Sequence, residues 1–330
     1  MKSRAFSTTN KAVSEVGLGC WQLGSSDWGQ ISEAVARETL EAAAEAGVSF
    51  FDTADIYGGG LSEQRLGAFL ASYSRRDELL VATKFGRSSD PGGAANLTYD
   101  SMCRHAEGSL KRLGVPKLWL TQGHCLPGTV LRDGQVFEHL RRMQQAGLIE
   151  HFGMSVETVE EAKVCLQVEG LSSLQVIFNV FRQKLVTELF DAARERSVAL
   201  IVRLPLASGL LSGKMSRERK FESHDHRNYN RDGQAFNVGE TFAGVPFEKG
   251  LELVSELSKW VPEGWSLGDF ALRYCLDFPA VTTVIPGATN KAQALNNARA
   301  SELPGLGSHV HEQLRRFYAE RVASHVRGAY

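Results

Sequence analysis

The chain has 330 residues, with 37 Lys and Arg against 38 Asp and Glu, so its formal net charge at pH 7 is −1. This balance excludes a strongly basic nucleic-acid-binding protein and a polyacidic tail protein. Apolar residues make up 43% of the chain and charged residues 23%, which is typical of a folded globular protein rather than a disordered one.

Short apolar runs alternate along the chain with longer amphipathic segments. The apolar runs are nearly continuous and rich in Val and Ile, as parallel strands buried on both faces are. They predict eight strands, which in chain order are Val16–Cys20, Val48–Asp52, Leu79–Lys84, Leu118–Gln122, Ile149–Met154, Leu174–Phe178, Ala199–Leu204 and Val281–Ile285.

The amphipathic segments between these runs predict helices. Ser32 can cap a helix over Glu33–Glu45, and Gly47 can end it. Gly114 likewise ends a helix over Tyr99–Leu113. The other helices predicted in this way are Ser62–Leu70, Gln135–Ala146, Thr158–Val168, Thr187–Arg196, Lys249–Trp260, Ser266–Leu276 and Lys291–Ala300.

A strand followed by a helix recurs about every 25 to 40 residues, which indicates a parallel sheet. Eight such units close a (β/α)8 TIM barrel, and we predict one barrel domain over residues 1–330. A doubly wound open sheet is the alternative. It usually carries a G-x-G-x-x-G turn after its first strand, whereas residues 17–24 read GLGCWQLG. The longest segment without predicted helix or strand is Lys214–Val245, and a loop of that length is usually functional or disordered.

The five cysteines are odd in number and contain no C-x-x-C pair. This argues against a disulfide framework and a structural zinc site, and it predicts a reducing compartment. The first residues lack the apolar stretch of a secretory signal, and no apolar run approaches the ~20 residues of a membrane span. We therefore expect a cytoplasmic protein with no metal site and with neither a membrane nor a nucleic acid as partner.

Polar side chains stand at the carboxyl ends of predicted strands, where the active site of a (β/α)8 barrel lies. Asp52 and Lys84 end two of the strands, Tyr57 follows in a glycine turn, and His124 follows a third strand. An inward lysine beside an aspartate would form a buried ion pair, and such a pair stabilises a fold little because both charges must be desolvated. Its charge would favour ionisation of a nearby phenol, so Tyr57 is a candidate general acid, and His124 could orient a carbonyl. Such a set fits carbonyl reduction with a hydride-carrying cofactor.

Several segments resemble the aldo-keto reductase superfamily, and together they span nearly the whole chain. The most specific is FDTADIYG, and others are VGLGCWQLG, ATKFG, HFGMS, PLASGLLSGK and VIPGATNKAQALNNA. The resemblance implies a (β/α)8 barrel that binds a nicotinamide dinucleotide without a Rossmann domain. It also implies a catalytic tetrad, in which Tyr57 is the acid, Lys84 tunes it, Asp52 holds Lys84, and His124 polarises the substrate.

The same resemblance implies a cofactor site, with some departures from the family pattern. Ser155 and Gln175 match residues that contact the nicotinamide carboxamide, but the usual Asn after the serine is Val156. Arg203 stands where the family often has an aromatic ring that stacks on the nicotinamide. The other implied residues are Gly19, Cys20 and Trp21 at the first strand, Leu206, Ser208, Gly209 and Lys214 at the pyrophosphate, and Gly287, Thr289, Gln293, Asn296 and Asn297 at the adenosine end.

The resemblance favours NADP(H) as cofactor, with NAD(H) as the alternative because the adenosine end lacks the Arg or Lys of several relatives. We expect reduction of a small aldehyde or ketone to an alcohol. The alternatives are a sugar or polyol dehydrogenase that works by oxidation and a regulatory cofactor-binding protein on the same barrel. Substrate selection is expected from the loops Arg87–Leu97, Cys125–Asp133 and Lys214–Val245, and the last is predicted to fold over the dinucleotide.

Overall fold

The structure is a computed structural model that describes residues 1–24, 26–88 and 92–330. Residues 89–91, within the predicted loop Arg87–Leu97, lie outside the described residues. None of the helices in the described ranges combines the length and the apolar character that crossing a membrane requires.

Within the described ranges, ten strands form a short hairpin and a barrel. The antiparallel hairpin consists of β1 (Ser3–Ala5) and β2 (Ala12–Ser14). The parallel strands of the barrel are β3 (Leu18–Gly19), β4 (Phe50–Asp52), β5 (Leu80–Phe85), β6 (Leu118–His124), β7 (Ile149–Ser155), β8 (Leu171–Ile177), β9 (Ala199–Arg203) and β10 (Val281–Val284).

Each barrel strand pairs with the next along the chain, and backbone bridges between the first and last strands nearly close the sheet. These bridges join Val16 to Val284 and Gly19 to Gly287. The arrangement confirms the predicted (β/α)8 barrel and rules out the open doubly wound sheet. All eight predicted strands are present, and each of them ends within two residues of the expected position, which places their carboxyl ends on one rim.

The helices pack around this barrel. They are α1 (Trp21–Gly24), α2 (Glu33–Glu45), α3 (Leu61–Ser72), α4 (Tyr99–Leu113), α5 (Gly128–Asp133), α6 (Gln135–Gln145), α7 (Val159–Cys165), α8 (Leu185–Glu188), α9 (Phe190–Glu195), α10 (His226–Tyr229), α11 (Phe247–Leu257), α12 (Leu267–Leu276), α13 (Lys291–Arg299) and α14 (Gly307–Phe317). The single helix predicted over Thr187–Arg196 is wrong. Two short helices lie there instead, because Leu189 has φ −132° and breaks the helical hydrogen-bond ladder.

The N-terminal hairpin closes the barrel at the end opposite the carboxyl ends of the strands. Phe6, at its turn, contacts Phe50 and Trp119 in the barrel interior, with ring centroids 5.9 and 4.9 Å apart. The Arg4 guanidinium donates hydrogen bonds to the backbone carbonyls of Leu276 and Phe278. This apolar plug leaves one rim of the barrel available for a polar site. The hairpin was not predicted, because strands of three residues carry too little pattern.

The long segment Lys214–Val245 divides into two parts. Its first part, residues 214–224, is largely exposed. Its second part packs on the barrel, with α10 and the residues around Glu240 buried. Asn230 holds this part together, because its amide donates to Thr241 Oγ1 and its carbonyl oxygen accepts from two backbone amides. The description of the whole segment as an irregular loop is therefore wrong for residues 225–245.

Candidate active site

A cavity of about 980 Å³ opens at the carboxyl ends of the barrel strands. This is at the upper end of the usual range for small-molecule sites, about 300–1,000 Å³. Of the predicted tetrad, Asp52, Tyr57 and His124 line it. Lys84 does not, because it lies behind Asp52 and Tyr57 and is only 1% exposed.

The ammonium group of Lys84 connects two other members of the tetrad, Asp52 and Tyr57. Its Nζ donates to Asp52 Oδ2 at 2.5 Å, to the Thr53 carbonyl oxygen at 2.9 Å and to Tyr57 Oη at 3.4 Å. Asp52 ends β4 and Lys84 lies on its parallel neighbour β5, so adjacent strands bring the two charges together. The buried ion pair inferred from the sequence is therefore present.

A glycine turn sets the position of Tyr57. Gly58 has φ +61°, and a Cβ atom there would lie 1.7 Å from the carbonyl oxygen of Gly24 in α1. Only glycine fits this approach, because any side chain would displace the backbone of α1. The turn therefore holds Tyr57 between α1 and the end of β5.

Burial and charge act on the tetrad in opposite directions. Burial is the largest influence on the pKa of Tyr57 and raises it; the Lys84 charge lowers it, Asp52 raises it, and the net pKa lies above the ordinary value. Burial lowers the pKa of Lys84, but the Asp52 carboxylate and the Tyr57 phenol outweigh this and leave it raised. At neutral pH the phenol is thus protonated and the ammonium charged. The sequence indicated the sign of the lysine contribution, but not that burial dominates.

His124 is a neutral imidazole beside the phenol. Its ring meets the Tyr57 ring edge to face, with centroids 5.8 Å apart. Burial lowers its pKa well below the ordinary value, and the positive charges of Arg87 and Lys84 lower it further. A neutral ring can donate one N–H to a carbonyl oxygen, but it does not compete with Tyr57 as a proton source.

Two glutamine amides complete the contacts of Asp52. Its Oδ1 accepts from Gln122 Nε2 at 3.3 Å and from Gln175 Nε2 at 2.7 Å. Gln175, predicted as a carboxamide contact, lines the cavity but donates to Asp52. Gln122 was not predicted as a site residue, since nothing local distinguishes it from other strand residues. The other predicted carboxamide contact, Ser155, does not line the cavity, and its Oγ lies 3.5 Å from Cys125 Sγ.

A cluster of four charged side chains forms another wall of the cavity. Arg87 Nη2 donates to Glu157 Oε1 at 3.1 Å and to Glu240 Oε1 at 2.9 Å. Arg203 Nη1 lies 3.4 Å from the same Glu240 oxygen, and Asn237 donates to Glu157 at 3.1 Å. Burial raises the pKa of Glu240, but Arg203 and then Arg87 outweigh it and bring the pKa to about 2. The pKa of Glu157 is shifted the other way, because burial and then the Glu240 charge raise it.

Sequence reasoning missed most of this cluster. It named Arg203 as a cofactor contact and Arg87 only as the start of a loop, and it did not single out the two glutamates. Cys125 Sγ and both carboxylates lie within 4.8 Å of one another, which is close enough for metal ligation. Because guanidinium groups already occupy the two carboxylates and burial raises the pKa of the Cys125 thiol, we assign no metal to them.

The remainder of the cavity contains the other residues that the resemblance implied for a dinucleotide. Arg203 Nε is buried and has no hydrogen-bond partner among the described residues. Lys214 and Arg219 supply positive charge for phosphates, and from the sequence Arg219 was included only as an unnamed position of the loop Lys214–Val245. The predicted residues that line the cavity are Gly19, Cys20, Trp21, Gln175, Arg203, Leu206, Ser208, Gly209, Lys214, Gly287, Thr289, Gln293, Asn296 and Asn297.

Polar groups at the adenosine end bond to one another. Gln293 Oε1 accepts from the backbone N and the hydroxyl of Thr289, at 2.9 and 3.1 Å. Asn297 donates to the Gly287 carbonyl oxygen. A Cβ atom at Gly287 would lie 2.1 Å from the end of the Gln22 side chain, so glycine leaves room for Gln22 in its present position. The volume, the backbone glycines, the cations and these amides fit a dinucleotide.

Comparison with known proteins adds an independent line of support. The sequence model of the Aldo/keto reductase family matches residues 15–319. The chain is 29% identical over 304 residues to aldo-keto reductase YhdN of Bacillus subtilis, covering 89% of this chain and 86% of that protein. It is 24% identical over 319 residues to the NADH-specific methylglyoxal reductase of Escherichia coli, covering 91% and 93%. The holo form of aldo-keto reductase AKR11C1 from Bacillus halodurans superposes with a TM-score of 0.77 at 25% identity, covering 96% of each chain.

Proposed function

This chain belongs to the aldo/keto reductase family, and from that premise we propose that it reduces a small aldehyde or ketone to an alcohol with NADPH or NADH. One observation carries the proposal. The Lys84 ammonium donates hydrogen bonds to both the Asp52 carboxylate and the Tyr57 phenol, beside a neutral His124. That arrangement supports proton donation to an oxygen that gains negative charge.

Each member of the tetrad has its own part in the proposed reaction. The nicotinamide, when bound in the cavity, would supply a hydride for the carbonyl carbon. The Tyr57 phenol gives its proton to the carbonyl oxygen, and Lys84 stabilises the phenolate that remains. Asp52 keeps Lys84 charged and directed at the phenol, while the His124 N–H orients the carbonyl. In alcohol oxidation the same groups act in reverse.

The dinucleotide would be held along the cavity. Arg203 would stack its flat guanidinium on the nicotinamide, since such a group can replace an aromatic ring. Its buried Nε has no hydrogen-bond partner within the described part of the chain and could donate to the cofactor in the plane of the group. Ser208, Gly209 and Lys214 would contact the pyrophosphate, with Arg219 as an added cation. Thr289, Gln293, Asn296 and Asn297 would contact the adenosine. Ser155 and Gln175 would need to turn toward the carboxamide, because they contact Cys125 and Asp52 in this structure.

We expect bound cofactor to protect residues 214–224 from trypsin. Arg217, Arg219 and Lys220 are exposed in this part of the long segment, and Arg219 also lines the cavity. Phosphates held by Arg219 would order the segment and close it over the dinucleotide. Limited trypsin digestion with and without NADPH, with cut sites located by mass spectrometry, makes the measurement. Cleavage at the exposed Lys259 is the internal control, and equal cleavage of residues 214–224 in both samples would refute a closing segment.

We expect a modest preference for NADPH over NADH, about 10-fold in kcat/KM, which corresponds to ~1.4 kcal/mol. The adenosine end offers neutral amides and a hydroxyl, and Arg219 and Lys214 are the cavity cations that could reach a ribose phosphate. Kinetics with both cofactors on one aldehyde measure it. Arg219→Gln is expected to lower kcat/KM with NADPH more than with NADH and so to remove most of the preference. A thousandfold preference in the unaltered protein would reveal a dedicated phosphate clamp instead.

The charged cluster favours a second candidate within the same reaction class. Arg87, Glu157 and Asn237 present hydrogen-bonding groups to the cavity, whereas Trp21 and Phe236 present apolar faces. A substrate with hydroxyl groups beside its carbonyl could contact both kinds of surface. This supports a sugar or polyol dehydrogenase that works by oxidation as the alternative to an aldehyde reductase.

Absorbance at the nicotinamide band tests the proposed function in both directions. The assay pairs NADPH or NADH with a panel of aldehydes and ketones, and NADP⁺ or NAD⁺ with polyols and sugars. Turnover of a carbonyl supports reduction, and faster turnover of polyols supports the alternative. Tight cofactor binding with negligible turnover on every substrate would contradict both and favour a regulatory binding protein on this barrel.

A further inference from the structure

Four aromatic side chains form a roof over the proposed proton donor. The Trp21 ring stacks on the Tyr57 ring, with centroids 5.8 Å apart and planes 18° apart. Trp28 meets Trp21 edge to face at 5.5 Å, and Phe236 lies 6.3 Å from Trp21. Tyr229 meets Phe236 at 6.1 Å. Trp21, Trp28, Tyr229 and Phe236, which we call the aromatic roof, all line the cavity.

The roof is assembled from two distant parts of the chain. Trp21 and Trp28 belong to the segment after β3, whereas Tyr229 and Phe236 belong to residues 225–245, the second part of the long segment. A hydrophobic stack alone tolerates sliding, because dispersion has little directionality. A directional contact is needed to hold the two parts in one register.

The Asp27 carboxylate supplies that contact. Its Oδ2 accepts from Trp21 Nε1 at 3.0 Å, and its Oδ1 accepts from Tyr229 Oη at 3.1 Å. The backbone carbonyl oxygen of Asp27 also lies 3.2 Å from His226 Nδ1. The Asp27 carboxylate therefore joins Trp21 to Tyr229, and its backbone oxygen contacts His226 beside the roof, across about 200 positions of sequence.

Asp27 is partly buried at the edge of the cavity, beside a fully buried histidine. His226 is 0% exposed, and its ring lies 5.0 Å from Trp21 and 4.3 Å from Trp28. Arg227 places its guanidinium 4.9 Å from the Trp28 ring. Hydrogen bonds to a carboxylate are roughly twice as strong as neutral ones.

We propose that Asp27 is a positioning residue for carbonyl reduction, which clamps Trp21 against Tyr57 and docks Tyr229 so that the aromatic roof sits in one register over the substrate. Asp27 acts through Trp21 and needs no contact with the reacting atoms. The inference rests on the proposed function for Tyr57 as proton donor. Asp27, between β3 and α2, would thus determine how bulky carbonyl substrates bind.

The test compares two substitutions of the same size, Asp27→Leu and Asp27→Asn. Leucine removes both hydrogen bonds and leaves two donors unpaired, which should lower kcat/KM for an aromatic aldehyde by roughly 10- to 100-fold. Asparagine can accept from Trp21 and donate to Tyr229, so it should restore most of the activity. KM for the aromatic aldehyde should rise more than KM for a two-carbon aldehyde, because the smaller substrate reaches less of the roof. The Kd for NADPH should not change.

A second set of variants isolates the two contacts. Tyr229→Phe removes only the hydroxyl and should raise KM with little change in kcat. Trp21→Phe keeps a stacking ring but removes the N–H. The double variant combines Trp21→Phe with Tyr229→Phe. Adding Asp27→Leu to it should lower kcat/KM much less than adding Asp27→Leu to the unaltered protein, because the two hydrogen bonds are already gone. Asp232→Ala removes an exposed carboxylate of the same segment that faces Arg327, and it should leave the kinetics unchanged.

Near-ultraviolet circular dichroism of the cofactor-free protein separates this inference from the proposed function. The coupled rings of Trp21, Trp28 and Tyr57 should give a signal that Asp27→Leu weakens and Asp27→Asn retains, whether or not the protein turns over a carbonyl. Unchanged spectra and kinetics in Asp27→Leu would overturn the clamp. Equal losses in Asp27→Leu and Asp27→Asn would overturn it as well, since the charge rather than the hydrogen bonds would then matter. If Asp27→Leu does not fold, Tyr229→Phe decides, and an unchanged KM refutes the docking.

Discussion

Tyr57→Phe is expected to lower the rate of carbonyl reduction by about 10²- to 10⁴-fold and to leave the Kd for the cofactor nearly unchanged. The substitution keeps the ring that stacks on Trp21 and meets His124, so packing at the site is preserved. It removes the hydroxyl that receives a hydrogen bond from Lys84 and that would give its proton to the carbonyl oxygen. Steady-state rates and fluorescence titration with NADPH measure the two effects separately.

Tyr73→Phe is the matched control for this experiment. It removes the same atom from a tyrosine at the end of α3, where the hydroxyl contacts Arg75 and not the cavity. Its rate should equal that of the unaltered protein. If Tyr57→Phe keeps half of the activity, Tyr57 is not the proton donor, and the proposed mechanism fails even if turnover is real.

Lys84→Met is expected to damage both activity and stability. The rate should fall by a similar 10²- to 10⁴-fold, because no charge remains to stabilise the phenolate of Tyr57. The free energy of unfolding should fall by roughly 3–5 kcal/mol, since the substitution leaves the Asp52 carboxylate buried without its cation. Asp52 and Lys84 are 3% and 1% exposed, so solvent screening does little to reduce this cost.

The pH dependence of the remaining activity gives a second reading of the same variant. Reduction requires the protonated phenol, so kcat/KM should be flat near neutral pH and fall above the raised pKa of Tyr57. The Lys84 charge lowers that pKa, and removing it should shift the alkaline fall to still higher pH. Urea unfolding at pH 7 measures the stability. Lys259→Met, the same change at an exposed position, should alter it by less than about 0.5 kcal/mol.

An alkaline fall that stays in place in Lys84→Met would mean that another group titrates. An unchanged free energy of unfolding would mean that the buried pair costs as much to desolvate as it returns. The first result contradicts the role proposed for Lys84, whereas the second concerns only the ion pair. The two measurements therefore fail independently.

The sequence by itself determined the barrel and the placement of the tetrad. Strand and helix patterns are local, and the cap at Ser32 and the left-handed stop at Gly114 lie where residue chemistry requires them. Once eight parallel strands close, residues at their carboxyl ends must share one rim, so Asp52 and Lys84 meet without any further information. The order of the elements and the rim of the site thus follow from short-range patterns plus one closure rule.

The tertiary structure alone decided what surrounds the tetrad. Glu240 pairs with Arg87 across 153 positions, and Asp27 binds Tyr229 across 202. These contacts join loops whose paths depend on packing against the whole barrel, so no local pattern announces them. The burial of each side chain is likewise decided by the tertiary structure, since it depends on every element around the cavity. It raises the pKa of Tyr57 despite the neighbouring lysine because the cost of desolvating a phenolate exceeds the attraction of one ammonium.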